Sequence, residues 1–383
     1  MKVWVIAGAH PKASRNPMLG IFEWDQAKAL QQAGVDVTYL AVDLRSIRRH
    51  RKLGYTYGEQ DGVKWHSIAL PVGAVPPRLL CAIGRLALRV LYRKAFRRAE
   101  KPDVLHAHFG VVGSYATGLA TQLHTPLVIT EHNSALNGVV TDHRIVAESA
   151  RAYAKAQAVL AVSQPLADSI HRLTGHTAIV VHDMVDTDLF KQCVLRPHEG
   201  FRITTVSNLI PLKNTIALLQ AIQTLHADYP DILLDIVGEG PLRKELEEFA
   251  LNQELADVVT FHGRLSREET CKVYEQSDCM ALVSRTETFG VVYIEAMAAG
   301  LPVIATRCGG PEDFVNESNG VLVDVGDMAQ LKSAILWIRA NKSQYESGRL
   351  RQYVNTHFSP QVIAARLKEV YKGLIPFNRC FNV

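Results

Sequence analysis

Apolar, β-branched runs alternate with helical patterns along almost the whole chain, and no other feature limits the fold as much. The strand-like runs are Val3–Ala7, Val35–Val42, Val63–Leu70, Val104–His108, Pro126–His132, Val159–Ser163 and Ala178–His182. They continue as Arg202–Asn208, Ile232–Gly238, Val258–Gly263, Cys279–Ser284, Val303–Thr306 and Gly320–Val325. Continuous apolar strands with helical crossovers require a parallel sheet covered on both faces. Thirteen such runs are too many for one ordinary doubly wound sheet. A length of 383 residues, at roughly 150 residues per domain, also points to two domains. The polar stretch KQCVLRPHEG, Lys191–Gly200, predicts the hinge. The expected division is therefore 1–190 and 201–358, with a last segment 359–383 whose helix is capped by Ser359 and starts at Pro360. Each half reads as Rossmann-like, with the loops at its strand C-termini facing a cleft between the halves.

The 48% hydrophobic and 21% charged fractions are those of a soluble globular protein. A net charge of +4 gives no case for nucleic acid as a partner. The six cysteines are scattered with no C-x-x-C pair, so neither a disulfide framework nor a zinc site is expected, and the thiols are read as reduced. The apolar run at the N-terminus is about seven residues long, which is short for a signal-peptide core. No stretch approaches the roughly 18 apolar residues of a spanning helix. A cytoplasmic protein is expected.

Chemistry concentrates in SRTETFGVVYIEAMAAGLPVIATRCGG, Ser284–Gly310. Glu287 and Glu295 stand there with seven residues between them, across a strand–loop–helix junction, and a Gly-Gly-Pro turn follows one strand later. Carboxylates accept hydrogen bonds from sugar hydroxyls, and backbone N–H groups at glycines and helix starts receive phosphate. The helix around Glu295 is apolar nearly all round, so Glu295 should be buried. A buried carboxylate without partners is costly. Either Glu295 binds a ligand's hydroxyls, or it is a structural carboxylate held by backbone or an arginine.

The chain resembles glycosyltransferase family 4, retaining sugar transferases of the GT-B fold. The Glu-x7-Glu run from Glu287 to Glu295, continued by EAMAAGLPV and GGPEDFV, carries most of the resemblance. VSNLIPLKN, LDIVGEGPLRKEL, FHGRLSREE, VSQPLADSI, MVDTDLF, HAHFG and TEHNS follow in matching order. The resemblance implies two Rossmann-like domains, a donor nucleotide held by the second, and a C-terminal helix crossing back onto the first. It also implies no cofactor and no catalytic metal. VDTD, Val185–Asp188, is then structural.

On that resemblance Glu295 holds the ribose hydroxyls and Glu287 lies near the transferred sugar or its leaving oxygen. Phe289, Gly290, Gly309 and Gly310 border the donor, with free N–H groups at Glu312–Phe314 after Pro311. Lys213 pairs with the diphosphate. Asn208 stands where the family usually has a cation, so Lys213 and backbone groups carry more of the neutralisation. In the first half, Gly20 belongs to a glycine loop near the donor phosphates, and His132 contacts the sugar around the reacting carbon. His108 is expected to line the cleft on the acceptor side. His106 shares its face, and two histidines without a third ligand read as packing.

Pro76–Arg98 is the most basic region. Leu79, Leu80, Ile83, Leu86, Ala87, Val90 and Leu91 follow helical spacing beside Arg85, Arg89 and Arg93. Arg45, Arg48, Arg49, Arg51 and Lys52 add a loop cluster. Such a helix suits the anionic inner face of a plasma membrane and a lipid-linked acceptor. The competing reading is a crossover helix with solvated arginines. The expected activity is retaining transfer from a nucleotide-diphosphate sugar, UDP-sugar ahead of GDP-sugar, to a glycan or lipid-linked saccharide in surface polysaccharide or glycolipid synthesis. The alternatives are a nucleotide-sugar epimerase or hydrolase of the same fold, and a non-catalytic nucleotide-sugar-binding protein.

Overall fold

A computed structural model describes residues 1–11, 19–46, 48, 51–96, 100–137 and 141–375. Pro17 and Met18 of the glycine loop, Arg49, Arg97, Arg98 and residues 376–383, with Cys380, lie outside the described residues. The chain divides into two compact units, Met1–Met184 with the segment from Pro360, and Val185–Ser359.

The first unit runs β1 (Lys2–Ala7), α1 (Ile21–Gln32), β2 (Asp36–Asp43), β3 (Gly54–Gln60), β4 (Val63–Ala69) and α2 (Pro77–Ala95). It continues with β5 (Val104–His108), α3 (Gly110–Leu123), β6 (Leu127–Glu131), α4 (His143–Tyr153), β7 (Ala158–Ala161), α5 (Gln164–Thr174) and β8 (Ile179–Val180). Its sheet has the order β3-β4-β2-β1-β5-β6-β7-β8. Val3, Val5 and Ala7 of β1 pack against Ala27 and Leu30 of α1.

The second unit contains α6 (Thr187–Phe190), β9 (Phe201–Val206), α7 (Thr215–His226), β10 (Ile232–Val237), α8 (Arg243–Asn252), β11 (Val259–Gly263), α9 (Arg267–Tyr274) and β12 (Cys279–Leu282). It ends with α10 (Val291–Ala299), β13 (Val303–Thr306), β14 (Gly320–Val323), α11 (Met328–Asn341) and α12 (Ser347–Phe358). Its sheet order is β11-β10-β9-β12-β13-β14, with parallel neighbours throughout. This is the doubly wound order, reversing between β9 and β12. The first unit has the corresponding reversal between β1 and β5. In such sheets ligands bind at the strand C-termini beside the reversal.

Three expectations need correction. First, β3 is an additional strand, antiparallel to β4, so the first sheet is not wholly parallel. Its turn is Asp61-Gly62, both with positive φ, the signature of a two-residue hairpin. The strand itself, GYTYGEQ, is too polar to read as buried. Second, the division falls at Met184/Val185 and not within Lys191–Gly200. That polar stretch is pinned inside the second unit. The Arg196 N–H donates to Glu275 O at 2.7 Å, and Arg351 Nη2 donates to Cys193 O at 2.6 Å. Third, Cys193 and Cys271 form a disulfide with Cα atoms 5.5 Å apart, where reduced thiols were expected. Both lie in the second unit.

The last helix, α13 (Pro360–Leu374), belongs to the first unit. Lys368 Nζ donates to Ala33 O at 2.7 Å, and Ile363, Leu367 and Tyr371 enter that unit's core.

In α2 the buried face is Cys81, Gly84, Ala87, Leu88, Leu91 and Tyr92, which shares only Ala87 and Leu91 with the stripe read from the sequence. Gly84 permits this face, because a Cβ there would come within 2.4 Å of the Tyr115 ring. Leu79 and Leu86 are consequently 50% and 64% exposed, alongside exposed Arg89 and Arg93, while Arg85 is half-buried. The loop arginines are less free than their clustering suggests. Arg51 is internal, with Nε 2.9 Å from Asp43 and Nη2 donating to Arg45 O and Leu70 O. Arg45 also pairs with Asp43.

Candidate active site

Each unit presents polar side chains at the carboxyl ends of the strands flanking its sheet reversal.

In the second unit, β9 leads to a short 3-10 turn, Pro211–Lys213, and then to α7. Asn214 adopts φ 52°, ψ 34° at the junction. Lys213 Nζ lies 2.6 Å from Glu287 Oε1. Ser284 Oγ, just beyond β12, donates to the same oxygen at 2.6 Å. Glu287 is thus 7% exposed, although it sits in a loop. That loop is laced to the turn after β13: the Glu287 N–H donates to Cys308 O at 3.1 Å, and the Gly310 N–H to Glu287 O at 2.9 Å. Gly310 is required by close approach, since a Cβ there would lie 2.3 Å from Phe289 Cα. Gly309 has φ 113°, where only glycine sits without strain.

The expectation of free N–H groups at Glu312–Phe314 is corrected. Residues 310–313 form a 3-10 turn, not the start of an α-helix. The Gly309 N–H donates to Glu312 Oε1 at 2.9 Å. The Glu312 and Phe314 amides are bonded to Gly309 O and Pro311 O. The Phe289 ring is buried against those of Phe314 and Phe358, with centroids 4.9 and 5.7 Å away. Gly290, at φ 94°, caps α10.

Glu295 is buried on α10, as its apolar helix predicts, at 6% exposure. Its Oε1 lies 3.2 Å from Arg267 Nε at the start of α9, which a capping box of Ser266 and Glu269 fixes in place. Of the two readings of Glu295, an arginine partner is therefore present. Asn208 is exposed, and its carbonyl accepts from the Ile210 N–H at 2.9 Å.

In the first unit, Gly20 (φ 74°) starts α1, and a Cβ there would meet Ala9 O at 2.8 Å. His132 follows β6. Its Nε2 is 3.0 Å from His108 Nδ1, and its Nδ1 is 3.4 Å from Asp183 Oδ1. Burial opposes a charge on His132. The nearby Asp183 carboxylate, with Glu23 and Glu131 behind it, outweighs that, and its pKa is raised. His108 is 1% exposed. Burial and its neighbours His106 and His132 hold it well below the usual imidazole range. His106 is bonded at Nδ1 to Tyr371 and at Nε2 to Thr130, and burial lowers its pKa to about 3.

Sequence reasoning missed the carboxylate that organises this region. Glu131 is wholly buried and accepts four hydrogen bonds. The His132 and Asn133 N–H groups donate to Oε1 at 2.9 and 2.8 Å. The Gly110 N–H and Tyr153 hydroxyl donate to Oε2 at 2.8 and 2.5 Å. It thereby joins the loop carrying His132 to the start of α3. There Phe109 sits at φ 69°, ψ 138°, a strained conformation of the kind that gathers at functional sites. Its ring centroid is 5.2 Å from that of His132. Asp183 was also missed. Its only sequence signal is its place directly before the MVDTDLF run.

Residues 186–354 match the family Glycosyl transferases group 1, and residues 23–189 match Glycosyltransferase Family 4. The chain belongs to glycosyltransferase family 4. As a glycosyltransferase it is an enzyme, and its two units have the GT-B fold. It is 27% identical over 356 residues to the putative teichuronic acid biosynthesis glycosyltransferase TuaC of Bacillus subtilis, covering 88% of each chain. It is 26% identical over 293 residues to the N-acetyl-alpha-D-glucosaminyl L-malate synthase of Bacillus anthracis, covering 72% of this chain and 76% of that protein. Among solved structures, sucrose-phosphate synthase from Thermosynechococcus elongatus superposes with a TM-score of 0.80 at 21% identity, covering 98% of this chain and 99% of that one. Anabaena HepE in complex with UDP gives 0.76 at 19% identity, covering 97% and 100%. Among the described residues, no helix of this glycosyltransferase is long and apolar enough to cross a membrane.

Proposed function

We propose that this glycosyltransferase moves a sugar from a nucleotide-diphosphate donor, a UDP-sugar ahead of a GDP-sugar, to a saccharide or lipid-linked acceptor with retention at the reacting carbon. The observation that carries this reading is the convergence of Lys213, Ser284 and Glu287 at the sheet reversal of the second unit, with Glu295 on the following helix. A cation, a carboxylate and a second buried carboxylate there match the needs of a diphosphate, a sugar and a ribose. Solved HepE structures hold UDP and UDP-glucose, which favours uridine as the base.

Lys213 then faces the leaving diphosphate as a point charge. Glu295 accepts from the ribose hydroxyls, and Glu287 fixes the sugar through its own carboxylate while Ser284 and Lys213 hold that carboxylate still. His132 lies near the reacting carbon. The acceptor hydroxyl attacks the face that the nucleotide leaves, and the departing phosphate takes the hydroxyl proton. The protein contributes positioning and stabilisation of developing charge, and no step calls for a bound metal. The basic α2 supports a peripheral place at an anionic membrane, where a lipid-linked acceptor is presented.

The test is a calorimetric panel of UDP, GDP and ADP with their sugars, followed by incubation of the tightest donor with saccharide acceptors. Nucleotide diphosphate should appear only when acceptor is added. Release without acceptor would instead identify a hydrolase, and an intact donor with every acceptor would identify a binding protein.

A further inference from the structure

Three side chains from three separate segments of the first unit stand in line. Asp183 follows β8, His132 follows β6, and His108 ends β5. Asp183 Oδ1 is 3.4 Å from His132 Nδ1, and His132 Nε2 is 3.0 Å from His108 Nδ1. The remaining nitrogen, His108 Nε2, is buried without a hydrogen-bond partner among the described residues. Orphaned buried polar atoms are uncommon and call for an explanation.

The chemistry of imidazole supplies one. Asp183 fixes a proton on His132 Nδ1. When the pair carries no charge, His132 Nε2 must accept, so His108 donates from Nδ1 and leaves a lone pair on Nε2. A proton that binds His108 Nε2 lets the shared proton move from His108 Nδ1 to His132 Nε2. One N–H bond forms at His108 Nε2, one breaks at His108 Nδ1 and one forms at His132 Nε2. The positive charge then rests on His132, beside the carboxylate.

We propose that Asp183, His132 and His108 form a proton relay with its outlet at His108 Nε2, and that Asp183 is the positioning residue that draws the charge onto His132. The surroundings fit this direction of transfer. The anions facing His132 are Asp183, Glu23 on α1 and Glu131 at its own strand end. Asp25 acts on Glu23, and burial raises the pKa of Glu23. On the far side the ring of His108 stacks on that of His106 at 4.7 Å. His106 is committed to two hydroxyls and does not compete for the proton.

The relay itself does not depend on the proposed transfer reaction, but its effect on turnover rests on the reading of His132 given above. Both are tested on the full chain by titrating the imidazole nitrogens with 15N NMR from pH 5 to 9, beside the pH profile of kcat/KM. In the wild type, His132 and His108 should titrate as one coupled system. Asp183→Asn should lower the His132 midpoint by about one pH unit, tenfold in proton affinity, and Asp183→Glu should restore it. His108→Gln should remove the coupling. An unmoved His132 midpoint in Asp183→Asn, or independent titration of the two rings, overturns the relay. Thermal melts of each variant identify a change due to unfolding, and the Asp183→Glu result then decides. A shifted midpoint with an unshifted activity profile upholds the relay and removes His132 from the reaction.

Discussion

At the scale of residues, the informative signals were charges placed where burial would punish them. Glu295 was legible because eight apolar or small neighbours surround it on α10, so a role was required before any partner was seen. If that role is donor binding, Glu295→Ala should weaken UDP binding by roughly 1–3 kcal/mol, about 5- to 150-fold. Unchanged affinity in calorimetry would leave Glu295 as the partner of Arg267 alone. Glu131 carries as much structure and was not legible. Two of its four donors, Gly110 and Tyr153, lie 21 and 22 residues away, and no local pattern announces them. Glu131→Gln keeps the shape but turns one acceptor into a donor facing the Gly110 N–H and the Tyr153 hydroxyl. It should lower the stability of the first unit by roughly 2–4 kcal/mol, since buried donors lose their acceptor. A denaturant midpoint equal to that of the wild type would show the four bonds to be dispensable.

At the scale of elements, period and apolarity recovered the buried strands and failed where a surface is mixed. Twelve strands announce themselves by apolar, β-branched runs, and β8 is the exception among those predicted, shrinking to two residues. The hairpin strand β3 escaped because its alternation is Tyr, Thr and Glu, not Val and Ile. The helix α2 is legible but its inward face only in part: Ala87 and Leu91 are on it, while the small residues Cys81 and Gly84 turn it away from Leu79 and Leu86. The outcome strengthens the case for an exposed apolar and basic face. Arg89→Glu with Arg93→Glu should at least halve sedimentation with vesicles containing anionic lipid, as each basic residue near such a surface contributes about 1 kcal/mol. Sedimentation independent of both lipid charge and these substitutions would leave α2 as a crossover helix and nothing more.

At the scale of the whole molecule, the two doubly wound sheets were legible, and the border between the units was misplaced. Polarity, proline and glycine marked Lys191–Gly200 as a linker. The bonds that tie it to Glu275 and Arg351 are long-range and invisible in composition. The disulfide of Cys193 with Cys271 encloses a sequence separation of 78 residues. Its reduction should destabilise the second unit by about 2–4 kcal/mol. Calorimetry with and without dithiothreitol should therefore show one transition moving and the other holding still.

The return of α13 to the first unit has a consequence for how this protein is made. The wall completed by Ile363, Leu367 and Tyr371 is encoded after the entire second unit, so a ribosome delivers it only once that unit has been made. Until then the early part of the chain emerges with the side of α1 that meets α13 uncovered and His106 Nδ1 without Tyr371. The later-encoded unit can be finished while the earlier one still waits, an inversion of the usual vectorial order. Nascent chains stalled before Pro360 should thus be the ones that chaperones hold longest.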